Sequence, residues 1–157
     1  MPVEESHLAA ALKAWGDGLI AISAAYEANG IEDARQVAND VLDAAYGYSF
    51  GPVLFKPTLS GGETTFRTTK KGALSYFVGH DPDYPKDGGF GIKGWRACRT
   101  ETAAHFIQGD VAMWMGWVTL TDKNGQVTKV DKSFGYKLDA DNTPRIVLHH
   151  SSLPYEG

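Results

Sequence analysis

Cysteine is nearly absent: Cys98 is the only one in 157 residues. A single thiol excludes an intramolecular disulfide and any cysteine-rich zinc site. It suits a reducing, cytoplasmic setting. Clustered positive charge is missing too. No run of Lys or Arg exceeds Lys70-Lys71, and the formal net charge is −4 at pH 7, so nucleic acid and acidic membrane surfaces are poor partners. No uninterrupted apolar run reaches the roughly 20 residues of a membrane-spanning helix. The acidic start Met1-Pro2-Val3-Glu4-Glu5 has the wrong charge for a secretion signal. Repeats and low-complexity segments are lacking, and a 43% hydrophobic fraction suits one domain over residues 1–157 with its own core.

Motifs that would declare a reaction are also missing. Ser151-Ser152 lacks the Gly-x-Ser-x-Gly turn of a hydrolase nucleophile, and Gly61-Gly62 lacks the Gly-Lys-Ser/Thr that would make a phosphate cradle. One cysteine and the scattered histidines of the C-terminal block do not make the three or four converging ligands of a zinc site. No cofactor is expected.

What the chain does have is periodicity. Leu8, Leu12, Trp15, Leu19, Ile22 and Tyr26 recur at spacings of four and three, one stripe of a long helix ending at Asn29-Gly30. A second helix begins near Asp33, with Val37, Val41 and Ala44 or Ala45 inward, and ends at Tyr46-Gly47-Tyr48. Val53 to Thr58 carries Pro57 and reads as an edge strand, with Glu63 to Arg67 as a possible partner. Thr68 or Thr69 can cap a helix over 70–78 that Gly79 stops. Residues 80–91 form a loop of Asp, Pro, Gly and Tyr placed to border a site. Four alternating runs follow at about 92–105, 106–121, 127–139 and 144–152, with Asn124-Gly125 as one hairpin turn. Helices first and strands after predict an α+β fold with an antiparallel sheet.

This order resembles the cone fold of the nuclear transport factor 2-like (SnoaL-like) superfamily, which includes ketosteroid isomerase and scytalone dehydratase. Within it, the run from Gly109-Asp110 to Leu120-Thr121, the Gly125 hairpin and the ending Ile146-Val147-Leu148-His149-His150-Ser151-Ser152 are similar to the association domain of calcium/calmodulin-dependent protein kinase II and its stand-alone bacterial relatives. The resemblance implies N-terminal helices packed in a strongly curved sheet, an internal pocket, and self-association into a homodimer or higher oligomer. Thr119 and Phe134 stand where that hub carries basic residues.

The expected function is binding of a small organic ligand in an aromatic pocket. The alternatives are a cofactor-independent isomerase, dehydratase or hydrolase using that pocket, or a pure oligomerisation module. Val130, Lys132, Phe134, Tyr136 and Leu138 share the inward face of their strand. On the strand before it, the side bearing Met115, Trp117 and Thr119 is expected to face the pocket, which leaves Trp114 and Val118 on an outer, oligomeric face. The pocket set is Trp15, Tyr76, Met115, Trp117, Phe134 and Tyr136. Catalytic candidates are His150, His105 and Tyr136, because imidazole and phenol exchange protons near neutrality. His149 and His150 point to opposite faces, so at most one of them enters the cone.

Overall fold

The computed structural model describes residues 2–157. Helix α1, Glu5–Asn29, buries Leu8, Leu12, Trp15, Leu19 and Ile22 along the stripe set by their spacing. By length and composition α1 is apolar enough to cross a membrane, contrary to the expectation from uninterrupted runs, because its alanines outweigh Lys13 and Asp17. Here that apolar stripe is part of the core. Gly30, with φ near +89°, separates α1 from α2, Ile31–Ala45, and permits the sharp reversal that a side chain would strain. Helix α2 turns Ala34, Ala38 and Leu42 inward, one position on from the expected Val37 and Val41. Small residues there let the two helices pack closely. Helix α3, Lys70–Val78, is capped by Thr69, whose hydroxyl accepts from the Gly72 amide, and ends at Gly79.

Five strands form one sheet in the order β1-β5-β4-β3-β2: β1 Leu54–Lys56, β2 Trp95–Gln108, β3 Val111–Asp122, β4 Val127–Leu138 and β5 Pro144–Ser152. The four long strands are antiparallel. The short edge strand β1 runs parallel to β5, a pairing that local sequence cannot announce. Residues 63–67 form no strand; Gly62–Thr64 is a single 3-10 turn.

Cross-strand register decides the faces. Trp114 sits opposite Phe134 and Val118 opposite Val130, so Trp114 and Val118 belong to the core and are buried. Met115 and Trp117 stand opposite Ser133 and Asp131, on the outer face. That corrects the expected pocket side of β3. A bulge between Gly135 and Tyr136 pairs Gly135 with Leu148 but Tyr136 with Ile146, which leaves Val147 as an extra residue in β5. Beyond it the alternation is reset. His149 and Ser151 face inward and are buried, while His150 faces solvent.

Candidate functional site

Where β1, β4 and β5 meet under α1 and α3, the core becomes polar. Lys132 on β4 is buried, 3% exposed. Its Nζ lies 2.9 Å from His149 Nε2 and donates to Ser151 Oγ at 3.0 Å. The ammonium also sits 4.6 Å from the centre of the Trp15 ring, a cation–π contact. Among the described residues no carboxylate pairs with it, and Asp131, its neighbour in the strand, acts only at a distance. Burial therefore dominates and pushes Lys132 down to about 7 from the ordinary lysine value.

His149 is clamped from both sides of its ring plane and at both nitrogens. Phe55 stacks on it at 4.5 Å between centroids, and Phe134 lies at the same separation at a tilt. Its Nδ1 is 2.8 Å from Tyr46 Oη, which accepts in turn from Trp15 Nε1–H at 3.0 Å. Burial first, then the neighbouring Lys132 charge, hold His149 well below the usual imidazole range. It is held as a neutral ring, in a setting that disfavours imidazolium.

Hydroxyls line the other side. Ser151 Oγ is 2.6 Å from Thr58 Oγ1, and the Tyr76 phenol, which lines the same pocket, accepts from the Leu59 amide at 3.2 Å. Because Lys132 donates to Ser151, the Ser151 hydroxyl is free to donate to Thr58. Burial raises Tyr76 to about 12, so it stays a hydroxyl donor at neutral pH. Lys56 Nζ, bonded to the Ser151 carbonyl at 2.9 Å, adds a second positive group nearby. Trp15, Phe55, Pro57, Phe77 and Phe90 close an apolar wall round these groups, packed tightly enough to leave no water-sized space. A lysine, an imidazole and hydroxyls in an apolar wall form a set suited to a small anion or a small polarisable neutral molecule. Among the described residues no three His, Cys, Asp or Glu side chains converge as metal ligands.

The loop before β2 is fixed against this site by a second buried cation. Arg67, 2% exposed, forks onto Asp87 at 2.7 and 2.8 Å. It also bonds the Thr64 and Gly72 carbonyls and lies 4.5 Å from the Tyr84 ring centre. Ser75 donates to the same carboxylate at 2.6 Å. This clamp ties residues 58–69 to the 80–91 loop, and so holds Thr58, Leu59 and Tyr76 in place.

Of the residues singled out from sequence, the fold brings Trp15, Tyr76 and Phe134 to this cluster. Met115 and Trp117 lie on the outer face. His150 is exposed, with only a long 3.3 Å contact to Ser152. His105 sits on β2 at the rim of a wide groove beside α1, 3.5 Å from Glu5. Tyr136 is fully buried away from the polar cluster, and its hydroxyl has no partner among the described residues. The groove beside α1, about 790 Å³, is far roomier than the close-packed polar cluster. Its polar groups, Glu5, Lys13, Asp17, Arg99 and His105, ring an open rim, so chemistry favours the smaller site. Sequence reading missed Lys132, His149, Ser151, Thr58 and Tyr46 as a group. The available signal was a lysine at an inward position of a strand otherwise lined by Val, Phe, Tyr and Leu.

The sequence profile of the metal-independent carbonic anhydrase family matches residues 6–153. A metal-independent carbonic anhydrase of Nostoc sp. (strain PCC 7120) is 52% identical over 154 residues, covering 98% of this chain and 75% of that one. The crystal structure of a cyanobacterial iota-carbonic anhydrase complexed with bicarbonate superposes with a TM-score of 0.98 at 51% identity, over 99% of this chain and 95% of that one. A kinase II association domain from Xanthomonas campestris shares the fold alone, at TM-score 0.61 and 22% identity over 99% and 91% of the two chains. These likenesses bear out the cone fold. They overturn the expected function: a chain half identical to carbonic anhydrases over nearly its whole length is neither an aromatic-pocket binding protein of unknown role nor an isomerase, dehydratase or plain assembly module.

Proposed function

This chain belongs to the metal-independent carbonic anhydrase family, and from that membership we propose that it interconverts CO2 and bicarbonate at the Lys132–His149–Ser151 cluster. The observation that carries the reading is a buried lysine without a carboxylate, bonded to an imidazole and to a linked pair of hydroxyls. Hydration needs two things of a protein that supplies no Lewis acid: a base for the attacking water and donors for the oxygens that gain charge. Neutral Lys132 supplies the base, backed by His149. As the water oxygen bonds the carbon, its proton passes to Lys132 Nζ, and the product is bicarbonate beside an ammonium. Ser151, Thr58 and Tyr76 hydroxyls supply the donors, in a dry setting where each is worth more than in water. A base near pH 7 gives its proton up again readily, which turnover requires.

The test is CO2 hydration followed by stopped flow with a pH indicator, on protein treated with a chelator. The reading expects a rate well above the buffer, unchanged by chelation and reduced in Ser151→Ala and Thr58→Val. A rate no greater than buffer, or one restored only by added zinc, would overturn it.

We also propose that the outer sheet face mediates self-association. Phe106 and Met113 are register partners and Met115 follows two residues on; all three are exposed. Contiguous exposed apolar side chains of this kind favour an interface. Light scattering should give at least a dimer, shifted to monomer in Met113→Lys with Met115→Lys. A monomeric parent protein removes the proposal.

A further inference from the structure

We propose that Lys132 is a site of reversible carbamate formation with CO2. This rests on the reading that the cavity handles CO2 and adds a covalent step that no hydration mechanism requires. The geometry supplies the nucleophile. In the tautomer that carries its proton on Nδ1, His149 accepts at Nε2 from the neutral amine at 2.9 Å, Ser151 Oγ takes the second N–H at 3.0 Å, and one lone pair is left on Lys132, which lines a close-packed pocket with Thr58, Tyr76 and His149.

The step balances without any other reactant. The Nζ lone pair forms the N–C bond, one C–O π bond opens onto its oxygen, and a proton leaves nitrogen for His149 Nε2. A carbamate anion and an imidazolium replace three neutral partners. Burial disfavours a lone imidazolium, but the Lys132 position, which repels a proton from His149 when it is an ammonium, attracts one when it is a carbamate anion. The same reversal applies to Lys56 on β1, which repels the Lys132 ammonium and attracts its carbamate. The remaining groups facing Lys132 are Trp15 on α1, Cys98 on β2, Ser151 on β5 and, at a distance on its own strand, Asp131. Cys98 is kept a neutral thiol by burial, at about 11. None of these offers a carboxylate at contact distance that would hold the amine protonated. Ser151 and Thr58 hydroxyls are placed to donate to the carbamate oxygens.

Carbamate and water activation draw on the same lone pair, so the adduct competes with hydration and not with folding. The experiment uses the wild-type protein equilibrated with 13C-labelled CO2 and bicarbonate at pH 8 and at pH 6, at equal dissolved CO2. Carbamates are trapped with triethyloxonium and located by peptide mass spectrometry; hydration rate is measured on the same samples. A labelled ethoxycarbonyl group is expected on Lys132 at pH 8, about tenfold less at pH 6 as the amine takes up its proton, and far less on exposed Lys13. Lys132 unlabelled, or labelled no more than Lys13, in protein that hydrates CO2 overturns the carbamate and leaves the catalytic reading intact. Label on Lys132 in protein that fails to hydrate CO2 upholds the carbamate and removes the catalytic reading.

Discussion

Arg67 and Lys132 are both buried cations, 2% and 3% exposed, yet the fold treats them in opposite ways. Arg67 receives a full set of partners: a two-pronged carboxylate, two carbonyls and an aromatic face. Its charge is neutralised and fixed, as suits a guanidinium that does not give up its proton. Lys132 receives an imidazole, a hydroxyl and an indole face, and no counter-ion. The difference separates structure from chemistry. A paired buried charge holds two loops together, whereas an unpaired one is stored as a proton that can leave.

Substitutions should pull the two sites apart. The largest effect is expected in activity: Lys132→Met removes the base and should lower CO2 hydration by roughly 10²–10⁴-fold, the usual worth of a positioned proton acceptor, with the fold retained by circular dichroism. Next is Arg67→Met, which leaves Asp87 buried without its partner and should cost about 3–5 kcal/mol in denaturant unfolding. Replacing both Arg67 and Asp87 by apolar residues should recover much of that loss.

The third effect has the opposite sign. Lys132 binds its proton less tightly folded than unfolded, so stability rises with pH from about 7 up to the ordinary lysine value of 10.5, and the penalty is fully present below about 7. Lys132→Met should therefore stabilise the protein by about 2 kcal/mol at pH 6. That gain should fade as pH approaches 10.5. Equal destabilisation by both variants at pH 6 would erase the distinction between the cations. The smallest effect is Tyr46→Phe, which takes one partner from His149 Nδ1 and should cost about 1 kcal/mol of stability, with a several-fold loss of hydration rate.

The frame of the molecule was legible because it rests on local rules. The 4-3 spacing from Leu8 to Ile22, the Thr69 cap and the Asn124-Gly125 turn each depend on a few neighbouring residues. The site was not legible, because it depends on pairings between distant strands. Trp114 and Trp117 are equally apolar, and only the register with Phe134 assigns the first to the core. Unbroken alternation from Ile146 sends Leu148 and His150 inward, but the bulge at Val147 hands that place to His149 and Ser151. Thr58 reaches Ser151 only because β1 lies parallel beside β5. Lys132 was visible at an inward position, but its company was not. Without the register, a lysine among apolar residues carries no sign of the imidazole and serine that make it reactive.

Given no counter-ion by the fold, Lys132 is expected to exchange its proton near neutrality. Nitrogen-15 NMR of lysine-labelled protein, assigned by the Lys132→Met spectrum, measures this directly. One ζ-nitrogen should titrate with a midpoint of about 7, its signal lost in the variant. A Lys132 that stays protonated up to the ordinary value of 10.5 would show that the missing counter-ion does not loosen its proton.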